Sequence, residues 1–224
     1  MDAPALCNLL KRIVDGLIDQ GISIVSYACD GTEVERSVQK LFLNLCSQQY
    51  LTIKNPRPGC EDTVITYGIY HSQAICMVQD SKHALKTLHN NLFSGARLLV
   101  LGNYPAMYLH ILHIAQGNRT PLYNCDVTKV DRQDDNAAVR LISADVLQYL
   151  ADNHPDYVGK IVYLFVFGEL IDAYQNQSMQ HLERIKLVLQ ARYFLDSWEA
   201  FLAACIKRAS TLSLVMQPTF YTSS

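Results

Sequence analysis

The chain has 224 residues, enough for one large domain or two small ones with a real core. Half of them are apolar and 18% are charged, which excludes an extensively disordered polymer. Nineteen basic residues against 21 acidic ones leave a net charge of −2, a balance that argues against holding nucleic acid by bulk charge alone.

Asp2, Pro4, then Leu6, Leu9, Leu10, Ile13 and Leu17 at helical spacing, with Gly21 behind them, predict an amphipathic first helix. Residues 22–29 are rich in β-branched side chains and end on Asp30-Gly31, the pattern of a buried strand. Thr32 and Glu35 stand at capping-box spacing and open a second helix reaching about Cys46. The stretch Asn55-Pro56-Arg57-Pro58-Gly59 breaks the chain. Residues 63–70 and 73–79 read as two hairpin-like strands, the second ending on Asp80, and residues 81–93 as a helix. Helix-linked strands favour parallel pairing in an α/β sheet.

Beyond Gly95 the character becomes helical. Ala138, Leu141, Ile142, Val146 and Tyr149 mark one helix, and residues 157–174 a second with an almost wholly apolar middle. Leu182, Ile185, Leu189, Leu195, Trp198, Leu202 and Cys205 mark a long third, with a break expected near Asp196. The expected architecture is α/β plus all-α, with 1–95 as a partial α/β core and 96–224 as a helical domain. The Ser/Thr-rich end at 219–224 reads as frayed.

Seven cysteines, at 7, 29, 46, 60, 76, 125 and 205, form no CxxC pair and are odd in number. Buried free thiols in a reducing compartment explain them better than a metal site or disulfide framework. The first twenty residues carry Asp2, Asp15 and Asp19, unlike a signal peptide. The longest apolar run, 161–167, falls far short of the roughly 20 residues that cross a bilayer. An intracellular protein is expected.

Asp30 and Asp80 each end a predicted strand just before a helix, at the edge of a parallel sheet where ligands bind. Neighbouring strands lie about 4.8 Å apart, so both carboxylates could reach one Mg²⁺ or Mn²⁺ ion, a hard cation suited to oxygen ligands. Paired ions of this kind clamp the attacking and leaving oxygens of a phosphoryl transfer. The plainer reading of either residue is a helix N-cap. Likewise Glu35 is explained by capping, and Glu33 by solvent.

His83 and Lys86 follow Asp80 at three-residue steps and share its helix face, either as a polar cluster beside the site or as a solvated face. His110 and His113 could imitate a metal pair, but an ordinary helix explains them. Arg184, Lys186 and Arg192 could meet DNA phosphates or simply face water. The sequence has no phosphate-binding glycine loop, dinucleotide fingerprint, serine nucleophile elbow or HExxH.

The segment from Gly21 to Gly31 resembles the part of P-element-like transposases that ends in an SDG-type turn. Val78 to Lys86, with Asn90, resembles that family's D-x-x-H-x-x-K…N stretch, although His89 replaces the usual arginine. Asp135 to Ser143 is similar to the family's A..LFS helix, and Gly168 to Tyr174 with His181 to Phe201 to the rest of its helical insertion. The resemblance spans nearly the whole chain and points to fungal-type copies.

It implies a ribonuclease H-like core, interrupted by a helical domain, that cuts and joins DNA with two metal ions held by Asp, Asp and Glu. On this mapping Asp30 is the second catalytic Asp, whereas Asp80, His83 and Lys86 are neighbours of the site. The pairing of Asp30 with Asp80 as joint metal ligands comes from the strand reading alone. The first Asp would precede Met1 and the Glu would follow Ser224; Glu169 and Glu199 match the insertion and are not nominated. The family's zinc-coordinating DNA-binding module has no counterpart.

The expectation is a truncated copy, inactive alone, nuclear if functional, and prone to self-association through the open edge of the 22–29 strand. Its DNA partner and its Mg²⁺ or Mn²⁺ belong to full-length relatives. Two competing expectations are a non-catalytic interaction module built on the helical half, and a small-molecule-binding α/β protein using the Asp30/Asp80 edge.

Overall fold

The computed structural model describes residues 2–56, 58–59, 61–93, 99–117, 119–128 and 134–215. It is a mixed α/β structure that divides into two compact units, Met1–Ala84 and Leu85–Ser224. The boundary expected near residue 95 and the frayed end at 219–224 lie outside the described residues.

The first unit begins with α1 (Ala3–Asp19), capped by the Asp2 side chain on the Ala5 amide and ended by Gly21 at φ +75°. Helix α2 (Glu33–Leu43) starts at a reciprocal capping box between Thr32 and Glu35. Around them run β1 (Ser26–Cys29), β2 (Ser47–Ile53), β3 (Thr63–Tyr70) and β4 (Gln73–Gln79). The sheet order is β1-β4-β3-β2. β1 lies parallel to β4, while β4-β3-β2 is an antiparallel meander. The parallel pairing falls between β1 and β4, so the sheet is mixed. The hairpin expected between 63–70 and 73–79 is present as the antiparallel β3-β4 pair, whose 71–72 connection is too short for a crossover. His71 (φ 44°) and Ser72 (φ 66°) close that hairpin with both residues left-handed, as a two-residue turn between twisted strands requires.

Cys7, Val14, Val38, Phe42, Tyr70 and Ile75 form the buried core of this unit, where α1, α2 and the sheet meet. Two departures from the sequence reading concern strands. β1 is shorter than 22–29 and only its last residue, Cys29, is buried, as befits a strand at the sheet edge; Ile22 and Val25, which precede it, are 47% and 71% exposed. β2 was not expected at all, and six of its seven residues are exposed.

The second unit holds most of α3 (Ser81–Phe93) and a hairpin of β5 (Leu99–Leu101) with β6 (Tyr104–Ala106), so it is not all-α. Then follow α4 (Tyr108–Ala115), α5 (Asn124–Thr128), α6 (Asp135–Leu141), α7 (Ala144–Asn153), α8 (Val158–Gln175) and α9 (His181–Val215). One expected helix over 138–149 is in fact α6 and α7, because Ser143 accepts the Val146 amide and starts a new helix. The break expected near Asp196 is absent, and Arg192 Nε donates to Asp196 Oδ2 at 2.9 Å along a continuous α9.

Helix α8 is the apolar centre, burying Tyr163, Leu164, Val166, Phe167, Ile171 and Ala173. Around it pack Ile111, Ile114, Leu122, Val127, Leu141, Val146 and Leu150. Close approach is needed at Gly159, where an added Cβ would stand 2.4 Å from the Tyr104 carbonyl oxygen. Trp198 Nε1 ties α9 to the hairpin by donating to the Val100 carbonyl at 2.8 Å. No helix among the described residues is long and apolar enough to cross a membrane.

Candidate functional site

The parallel register sets Cys29 opposite Gln79, and the Asp80 amide donates to the Cys29 carbonyl at 2.8 Å. Asp30 and Asp80, the next residue on each strand, therefore stand side by side at the carboxyl ends of neighbouring strands. The adjacency that the sequence left conditional is met.

The two aspartates differ in what else they do. Thr32 takes the N-cap of α2, so capping does not account for Asp30. Asp30 is exposed, and its carboxylate has no hydrogen bond or ion pair among the described residues. Asp80 is half-buried and behaves as a cap: Oδ1 accepts the Lys82 amide at 3.1 Å, and its carbonyl accepts the Ala84 amide at 2.9 Å. Gly31, at φ +80°, turns the chain away from the strand, and the Gln79 side chain lies so close that a Cβ there would be 2.8 Å from Nε2. Glu33 is exposed and Glu35 is engaged by Thr32, so neither joins the pair.

Two carboxylates on rigid strand ends, one of them unengaged, are a donor set that fits a hard divalent cation retaining several waters. No group of three or more His, Cys, Asp or Glu suited to a metal occurs among the described residues. Asp30 and Asp80 are the two residues that would hold such an ion.

Other nominated residues have structural partners. Lys86 Nζ lies 3.1 Å from Asp135 Oδ1, within the second unit. His83 is half-buried near the start of α3. Arg184 is a clasp: its guanidinium donates to the carbonyls of Ala173, Asn176 and Met179, closing the end of α8. Lys186 pairs with Glu183 at 3.7 Å, and Arg192 with Asp196. Cys7 and Cys29 are buried as expected, whereas Cys76 and Cys125 are exposed; the described cysteines are all free.

Sequence reasoning missed two features of the second unit. One is a cavity of about 360 Å³ lined by Leu101, Tyr104, Val158, Phe194, Trp198 and Phe201 among others. The second gathers His110 and His113 with His154, Tyr157 and the buried Lys160. The helical spacing of His110 and His113 was visible, but their partners stand more than forty positions further along the chain.

No family model, no curated protein and no solved structure matches this chain.

Proposed function

We propose that this chain derives from a P-element-like transposase and carries part of a ribonuclease H-like, metal-dependent DNA-cleavage core in its first unit, with an insertion-like helical domain following. The observation that carries the reading is that Asp30, the residue mapped to the second catalytic Asp, is exposed at the end of β1 beside Asp80, while Thr32 performs the capping that would otherwise explain it. The ordered motifs around Asp30, Asp80 and Asn90 support it.

Two carboxylates are too few to hold the two-metal clamp of a full transposase, so the chain alone does not cleave or join DNA. It binds a single Mg²⁺ or Mn²⁺ weakly at Asp30, with Asp80 as the second contact, and works in the nucleus if it works at all. Calorimetry with Mn²⁺ tests this on the wild type, Asp30→Asn and Asp80→Asn. Asparagine preserves the cap at Asp80, so any loss there reflects charge. Binding that vanishes in Asp30→Asn supports the reading; no binding to the wild type removes it. Mg²⁺-dependent DNA cleavage that disappears in Asp30→Asn would overturn the claim of inactivity.

A second reading, a non-catalytic interaction module, is favoured by one observation. The apolar cavity is lined on one side by Phe194, Trp198 and Phe201 of α9, and that helix also leaves Leu195, Leu202 and Ile206 38%, 40% and 70% exposed. Unchanged partner capture by an Asp30→Asn, Asp80→Asn double variant in cells would favour this reading over the first.

A further inference from the structure

Two imidazoles stack on the Tyr157 ring, His110 from α4 at 3.9 Å and 9° and His154 at 5.0 Å and 10°. His113 Nδ1 lies 3.0 Å from the Tyr157 hydroxyl, and its ring meets His154 edge-on at 5.2 Å. Tyr157 is also the N-cap residue of α8, yet no side chain caps that helix.

Lys160 sits in the first turn of α8, wholly buried, and its Nζ has no hydrogen-bond partner among the described residues. His110 Nδ1 is buried without a partner in the same way. A helix side chain leans toward the N-terminus, which carries Lys160 toward the ring stack; its charge acts on His110 through space. A cation in the first turn also opposes the helix dipole. The groups acting on His110 are Lys160, His113 and His154, which disfavour its protonation after burial, and Asp156, a carboxylate that favours it.

We propose that the junction between α4 and the first turn of α8 is an acid-opened latch, in which proton uptake at Lys160 and His110 parts the stack on Tyr157 and frees that turn. Val158 and Gly159 of the same turn line the apolar cavity beside Trp198, so release removes one of its walls.

The direction follows from linkage. Burial pulls the closed-state Lys160 from the ordinary 10.5 down to about 7. Once released into water it regains the ordinary value. Between those limits the open form holds one more proton, so the latch loosens as pH falls from 10.5 to 7 and carries the full penalty below 7. His110, held below the ordinary 6.5 chiefly by burial, extends the loss under pH 6.5.

Amide hydrogen exchange of residues 158–161 in the full chain, corrected for intrinsic rates, reads the opening directly between pH 9 and 6. Trp198, the single tryptophan, reports the cavity wall by fluorescence. The expected result is an opening constant that grows about ten-fold per pH unit from pH 9 down to 7, one proton's worth. Lys160→Met should remove that dependence and keep the turn closed at pH 7, and Lys160→Arg should leave it open throughout. A wild-type opening constant flat between pH 9 and 7 overturns the proposal, even if neither variant folds. An unchanged slope in Lys160→Met overturns it equally.

Discussion

Arg140 grips Asp126 through two hydrogen bonds, Nε to Oδ2 at 2.9 Å and Nη2 to Oδ1 at 2.7 Å. The pair joins α5 to α6, with Asp126 buried and Arg140 lying over the Tyr123 ring at 4.9 Å. Removing the cation leaves a carboxylate in a dry place. Arg140→Met should cost about 2–3 kcal/mol in urea unfolding, the lower range for a broken buried pair because Arg140 is partly exposed.

The same pair sets a pH dependence. Hydrogen bonding from Arg140 holds the Asp126 carboxyl below its ordinary 3.8. A depressed carboxyl stabilises the fold above its unfolded value, and that contribution is lost as pH falls from 3.8 through the folded value. Thermal unfolding between pH 5 and 2 should show a steeper acid loss in the wild type than in Asp126→Asn.

Gly159 has no room for a methyl group against the backbone of Tyr104 and Pro105. Gly159→Ala should gain from helix propensity yet lose overall, by roughly 1–3 kcal/mol, because the clash is with backbone rather than with a movable side chain. A rise in the melting temperature would refute the tight contact.

Ser72 holds a left-handed conformation without being glycine. Ser72→Gly should stabilise the chain by about 0.5–1 kcal/mol, because the turn then needs no strained residue. Chemical denaturation would reveal it as a higher midpoint.

Asp30 and Asp80 should part company in stability. Asp30→Ala should lie within about 0.5 kcal/mol of wild type, since the carboxylate has no structural duty. Asp80→Ala should cost about 1 kcal/mol through the lost cap, and Asp80→Asn much less. Equal losses for both alanine variants would mean that Asp30 also supports the fold.

The local signals legible in the sequence were the strong ones. Thr32 and Glu35 give the start of α2 correctly, and Asp2, Pro4 and Gly21 bracket α1. The helical row in α1 was read as one stripe, but its members divide. Leu6 and Leu10 pack on the core beside Cys7 and Val14, while Leu9, Ile13 and Leu17 are 40%, 52% and 37% exposed. Periodicity finds the helix without saying which edge of the stripe is covered.

β2 escaped because its sequence, SQQYLTI, has no apolar alternation, and exposure on both faces removes the pressure for one. The strand is specified by pairing with β3, a non-local partner. At the candidate site the residue types and their strand-end positions were visible, as was the need for the strands to be neighbours. That Thr32 rather than Asp30 caps α2 follows from the capping-box spacing, whereas the engagement of Asp80 with the Lys82 amide could be read only from coordinates. Lys160 was hidden for a related reason: one cation before an apolar run looks like a snorkelling end, and nothing local in the sequence marks it as wholly buried.

Arg184 closes on the end of α8 at the very start of α9, and α9 then runs unbroken for 35 residues. At 1.5 Å per residue that is a rod on the order of 50 Å long, held along its first half by Arg184 and, further on, by Trp198. Only the stretch from Trp198 to Val215 overhangs, about 25 Å, so a bend of about 10° just past Trp198 would carry the far tip through about 4 Å. A bend too slight to break the Trp198 contact is thus magnified along the overhang, making the distal tip the place to watch for motion.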